Sequence, residues 1–126
     1  MARVSKEAEE RLTADRELMG RFPDLLERAR EAEGALREAE AAGAEDEELH
    51  RLGLDLDTAL TDAMRAAYAG ERVEVGARGY EDRIYRRKRL ARSHVKQWTS
   101  EAERLLTLRE THRLGGIVHL PAHSVA

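Results

Sequence analysis

The stretch from Arg83 to Lys96 carries the densest chemistry in this chain, with seven positive side chains and no negative one in fourteen residues. At about 100° of rotation per helical residue, Arg86, Arg89, Arg92 and Lys96 fall on one face at turn spacing. Arg83, Arg87 and Lys88 flank the opposite stripe of Ile84, Ala91, Val95 and Trp98. One side of such a helix packs while the other presents cations. That row suits an acidic protein surface or the phosphate backbone of DNA or RNA, and arginine adds two-pronged contacts to phosphate. The plainer alternative is a solvated face that answers the chain's own acidic helices. Among the aromatics, Tyr85 lies with the cations and is better placed to stack on a base than Tyr80. Trp98 sits in mid-stripe and reads as a core anchor.

Catalytic and metal chemistry finds little to stand on. The chain has no cysteine, so a disulfide framework, a cysteine-built zinc ribbon, an iron–sulfur site and a thiol nucleophile are excluded. It also lacks Gly-x-Ser-x-Gly, a phosphate-binding Gly-x-x-x-x-Gly-Lys loop, His-Glu-x-x-His and a dinucleotide fingerprint. His112, His119 and His123 are close in sequence, but the last two straddle Pro121 in a stretch not expected to be helical, so their spacing fixes no ligand geometry. Asp55, Asp57 and Asp62 miss the calcium-loop spacing and read as a solvated acidic helix face. His50 and His94 read as surface residues. Asp15 interrupts the inward side of the first helix, which predicts either an arginine partner from another helix or a largely exposed first helix. No enzyme, metal or cofactor is expected.

The elements that must carry these residues follow from spacing and caps. Ser5 is placed to N-cap a helix opening on Lys6-Glu7-Ala8-Glu9-Glu10, with acids where the helix dipole favours them. Leu18, Phe22, Leu25, Ala29, Ala32, Leu36 and Ala39 keep a three–four spacing, interrupted by Pro23. Proline fits a first helical turn and is costly inside a helix, so the reading is two helices, near 5–21 and 23–42. Gly43 ends the second. Leu49, Leu52, Leu56, Leu60, Ala63 and Ala67 form the stripe of a third helix that packs antiparallel to it and closes at Gly70. Residues 71–79, glycine-rich and containing Val73-Glu74-Val75, read as a loop with a little extended structure. A long basic helix is expected from about Tyr80 to Arg113 with Val95, Trp98, Ala102 and Leu105 inward, followed by a short extended tail from residue 115.

The whole therefore reads as one all-α domain of three to four helices. Ala, Glu, Leu, Arg and Lys make up about 60% of the chain, a signature of long helices. The 19 arginines against 3 lysines read mainly as a GC-rich coding bias. Leu, Ile, Val and Phe number only 25 of 126 residues, so the core must be thin, and thin stripes finish their burial against another chain. Charge divides as well: residues 1–70 carry a net −8 and residues 71–126 a net +5. The leading expectation is a non-enzymatic interaction or assembly subunit, pairing with itself or within a larger complex through the basic helix. The alternative is sequence-nonspecific nucleic-acid binding. No apolar run approaches membrane-span length and Met1–Lys6 lacks the apolar core of a signal peptide. The expected location is the cytoplasm or a particle assembled inside the cell.

Overall fold

The computed structural model describes residues 3–115. Among them 88% are helical and none lies in a strand. Five α-helices run in the order α1 (Lys6–Gly20), α2 (Phe22–Ala41), α3 (Asp46–Val75), α4 (Arg83–Arg89) and α5 (Ser93–Gly115), with a 3-10 turn at Ala77–Tyr80. No helix among the described residues is long and apolar enough to cross a membrane. The expected tail, with His119 and His123, lies outside the described residues.

The N-terminal elements follow their caps. The Ser5 hydroxyl accepts the Ala8 amide at 3.0 Å and starts α1. The break before Pro23 falls where expected, with the Arg21 amide turned back to the Leu18 carbonyl. At the end of α2, Gly43 (φ +71°) donates to Glu40 and Ala44 donates to Ala39. That pair of bonds satisfies the last carbonyls in a Schellman turn.

Two compact units emerge, the first from the residues up to Phe22 with Met64–Glu103, the second from Pro23–Ala63 with the residues from Arg104 on. In the second, Leu25 and Ala29 of α2, Leu56, Leu60 and Ala63 of α3, and Leu105 of α5 are buried. Each fully buried leucine contributes about 1.5–3 kcal/mol. Leu49 and Leu52 are half-buried. Polar side chains of α5 fasten it to α3: Arg109 Nε donates to Thr61 Oγ1 at 2.7 Å, and Arg113 reaches both Asp57 oxygens at 2.7 and 3.1 Å. His112 Nε2 lies 2.8 Å from the Gly53 carbonyl oxygen. Asp57 is thus a structural anchor and not part of a solvated acidic face.

The first unit corrects the sequence reading at three points. Gly70 does not close α3, which continues to Val75 and ends before Gly76. A glycine inside a helix costs about 1 kcal/mol against alanine, but here it admits a ring. A Cβ on Gly70 would be driven into the Trp98 indole. Second, the expected loop over 71–79 is mostly helical: 71–75 continue α3, with Glu71 and Val75 buried, and after Gly76 a 3-10 turn begins at Ala77. Third, the single basic helix is two: α4 stops at Arg89, and amide bonds from Ala91 to Lys88 and from Arg92 to Arg89 carry a tight turn into α5. A continuous helix would stack Lys88 on Arg92 and Arg89 on Arg92, and like charges at those spacings each cost a few tenths of a kcal/mol. Five helices replace three to four.

Around Gly70 the packing is aromatic. The Phe22 and Trp98 rings meet edge-on, 5.4 Å between centroids at 74°, with Val95 and Ala102 buried nearby in sequence. Gly70→Ala should therefore destabilise the protein by about 1–3 kcal/mol through overpacking, although alanine is the better helix former. Urea unfolding checks it, and a rise in the midpoint would refute the close approach.

Candidate functional site

The local structure of α4 begins at Asp82, whose carboxylate accepts the Tyr85 amide at 3.0 Å and caps the helix. Arg78 pairs with the same carboxylate at 3.2 Å. Arg86, Arg87, Lys88 and Arg89 fill the last turn, where the helix dipole favours cations. The orientation of this helix is set from outside it. Glu71 Oε2 accepts the Thr99 hydroxyl at 2.6 Å, and Oε1 accepts Arg86 Nη2 at 3.4 Å. A carboxylate that far from water needs a cation, and Arg86 supplies it.

That contact inverts the expected faces of α4. With Arg86 turned to Glu71, helical rotation puts Ile84 and Lys88 on the opposite side. Ile84, expected to pack, is 70% exposed, and Ala91 in the following turn is exposed too. Arg86 is exposed as expected but also bonds Glu71, whereas Arg89, expected to project outward, is half-buried. The Arg89 guanidinium lies 5.6 Å from the Tyr85 ring centroid and Arg78 lies 4.7 Å from it. Arg89 Nε is buried with no hydrogen-bond partner. Tyr85 is thus flanked by two guanidinium groups and is not a free stacking platform. Arg83, Arg87, Lys88, Arg92 and Lys96 remain exposed and make no ion pair among the described residues. The inward residues of α5 hold their expected places: Val95, Ala102 and Leu105 are buried, and Trp98 is half-buried against Phe22 and Gly70.

A second feature of the first unit escaped the sequence. Asp15 does find an arginine: Arg72 donates Nε and Nη2 to its two oxygens at 2.8 and 3.0 Å, and the Tyr80 hydroxyl donates to Oδ2. Arg11 stacks on Tyr80, its guanidinium carbon 4.9 Å from the ring centroid. Beside this cluster is a cleft of about 210 Å³ lined by Arg11, Arg72, Arg86, Tyr80 and two glycines, Gly76 and Gly79. Arg11 and Arg72 carried no sequence motif. The signal that pointed here was Asp15, a charge on the inward side of a helix.

Burial works against ionising Asp15, but the hydrogen bonds of Arg72 and Tyr80 and the charges of Arg72 and Arg11 outweigh it, holding its pKa below the ordinary value. Burial, then the Asp15 bond and charge, push the Tyr80 phenol up to about 12. At neutral pH the phenol keeps its proton and commits it to Asp15. Among the described residues no group of three or more histidines and carboxylates is placed to hold a metal. His94 is exposed, 3.9 Å from Glu74. No known family, curated protein or solved structure matches this chain.

The Asp15 cluster contributes to the pH dependence of stability, alongside Asp57, which the Arg113 hydrogen bond also holds below its ordinary value. The folded pKa of Asp15 is lowered, so its contribution is complete above the unfolded value near 4 and disappears as pH falls through the folded one. The Tyr80 pKa is raised, so its contribution is complete below the unfolded value near 10 and disappears as pH rises towards 12. Asp15→Asn should cost about 1–3 kcal/mol at neutral pH and flatten the acid limb. Urea unfolding across pH checks both, and an unchanged acid limb in the variant would assign the loss to other carboxylates.

Proposed function

We propose that the protein is a non-enzymatic interaction subunit that assembles with copies of itself, alone or within a larger complex, through α4 and the first turns of α5. The observation that carries this reading is Ile84, 70% exposed with Arg83, Arg87 and Lys88 as its helix neighbours. An apolar side chain ringed by cations suits a protein surface that is acidic and partly apolar. A phosphate backbone would make no use of the isoleucine.

Charge names the occupant. On α2, Glu31, Glu38 and Glu40 are exposed and make no ion pair among the described residues. The thin stripes of this helix add a reason for a second copy, and in this reading α2 and α3 pair antiparallel and offer their acidic outer face to α4 of the next copy. A contact between two different patches repeats head to tail and builds rings or filaments. Nucleic-acid binding is the weaker reading. The row of Arg86, Arg89, Arg92 and Lys96 is broken between α4 and α5, two of its members are engaged, and Tyr85 is covered.

Light scattering at low salt should give a mass above the 14.2 kDa of one chain, rising with concentration and falling with added salt. Arg87→Glu with Lys88→Glu should return the monomer with unchanged circular dichroism, and Ile84→Ser should weaken association without changing charge. A monodisperse monomer at high concentration and low salt sinks the proposal. Duplex DNA binding with a salt slope of ~0.9 per neutralised phosphate, insensitive to Ile84→Ser, would put phosphate in the place of the acidic protein.

A further inference from the structure

We infer that the cleft bounded by Arg11, Arg72 and Arg86 is a binding site for a phosphate group, either free inorganic phosphate or the phosphate of a small metabolite. The site lies in the first unit and is independent of the surface of α4 that faces away from Glu71.

Three arginines line this opening from three helices, Arg11 from α1, Arg72 from α3 and Arg86 from α4. Internal neutralisation accounts for only part of them. Asp15 takes Nε and Nη2 of Arg72, leaving Nη1 with no hydrogen bond among the described residues. Glu71 takes Arg86 through a single 3.4 Å bond from Nη2. Arg11 makes no ion pair among the described residues and rests on the Tyr80 ring. Three positive and two negative groups leave the cluster with a charge of +1 and several unused N–H donors. Like charges gathered on one cleft repel, and a structural role would need only the two paired arginines. An anion held by the unused donors offsets that surplus charge.

The donor type and the volume narrow the ligand. Arginine presents its N–H groups as a flat fork matched to oxyanions. Arginines supplied by three helices around one cleft suit a tetrahedral anion with several charged oxygens better than a flat carboxylate. Gly76 and Gly79 also line the cleft, but their amides are already bonded to the Arg72 and Gly76 carbonyls, so the donors on offer are those of the arginines. A volume of about 210 Å³ compares with ~30 Å³ per water in the liquid and with ~300–1,000 Å³ for pockets holding drug-sized ligands. It has room for a phosphate and a short substituent, and is too small for a nucleotide. Arg72 and Arg86 would bind while keeping their carboxylates, because each guanidinium has five N–H donors. Tyr80 acts through Arg11 and Asp15: its ring supports one, and its hydroxyl fixes the other.

Titration calorimetry with inorganic phosphate, at ionic strength held constant with chloride, tests this. Saturable binding at one site per chain is expected. Arg11→Gln and Arg86→Gln should each weaken it by about tenfold or more. Arg11→Gln is the cleaner variant, since Arg11 is exposed and holds no carboxylate; its circular dichroism should be unchanged. Lys88→Gln, on the far side of α4, should bind as the wild type does, and Arg11→Gln should associate with itself as the wild type does, which separates this site from the assembly surface. Glycerol phosphate competing for the same site identifies a phosphorylated metabolite as the ligand class, whereas binding of inorganic phosphate alone identifies the free ion. Heats no different from a chloride control, or binding unchanged in both Arg11→Gln and Arg86→Gln, or lost equally in Lys88→Gln, would overturn the assignment.

Discussion

Glu71 lies within the first unit at 5% exposure, and much of that unit's arrangement follows from meeting its charge. Its closest partner is the Thr99 hydroxyl at 2.6 Å, and Arg86, whose side chain keeps 45% exposure, adds a longer, partly screened contact at 3.4 Å. The carboxylate therefore fixes where its partners stand. Thr99 must lie on the inner side of α5, and Arg86 must turn inward from α4. With Arg86 on Glu71, the rest of α4 is placed by helical rotation. Ile84 and Lys88 face water, while Arg83 and Arg87 lie to the sides. The surface offered to a partner is thus chosen by a carboxylate on another helix.

The same constraint shows why some of the chain was legible in its sequence and some was not. Ser5, Pro23 and Gly43 act through their immediate neighbours, by a cap, a missing amide and a left-handed turn, so local spacing identifies them. The stripes of α2 and α3 were legible because each is apolar enough to orient its own helix, as the burial of Leu25, Ala29, Leu56 and Leu60 shows. The segment from Gly70 to Leu90 has no such stripe. There the helix direction is decided by contacts distant in sequence: Gly70 with Trp98, Glu71 with Thr99, Arg72 with Asp15. Gly70 resembled a stop signal because a helix-ending glycine and a glycine that admits a ring look alike until the ring is placed. The turn between α4 and α5 has neither glycine nor proline to mark it. Only the accumulation of like charges marks it in the sequence. The cleft was less legible still, since its three arginines are separated by 61 and 14 positions.

Arginine also explains how a chain with so few large apolar side chains orders its helices. A coding bias accounts for the number of arginines but not for their use. Arg72 on Asp15 and Arg113 on Asp57 both make two-pronged contacts, which fix distance and direction together. Arg11, Arg78 and Arg89 lie against tyrosine rings at 4.7–5.6 Å, where a flat guanidinium covers apolar carbon while remaining charged. Lysine, with a compact and strongly hydrated ammonium, does neither as well. The guanidinium groups take over part of the packing that leucine and phenylalanine perform in richer cores, and they do so at the edges, where α1, α3 and α4 have few apolar residues to share.

This substitution has a consequence for function. A core closed by leucine leaves nothing to bind with, whereas one closed by arginine retains donors. Each guanidinium offers five N–H groups, and a two-pronged carboxylate contact occupies two. A position ordered for folding is already ordered for recognition, and an anion meeting Arg72 would find a side chain whose conformational entropy is largely spent on Asp15. The outward cations are different in kind. Arg83, Arg87 and Lys88 are exposed and unpaired among the described residues, so they must be ordered by whatever they bind, and their attraction is long-ranged and sensitive to salt. In the proposed reading one residue type serves two modes of recognition: a half-open cleft for a small anion, and an outer surface for a large acidic partner. Glu71 separates them, because it decides which arginine of α4 belongs to which.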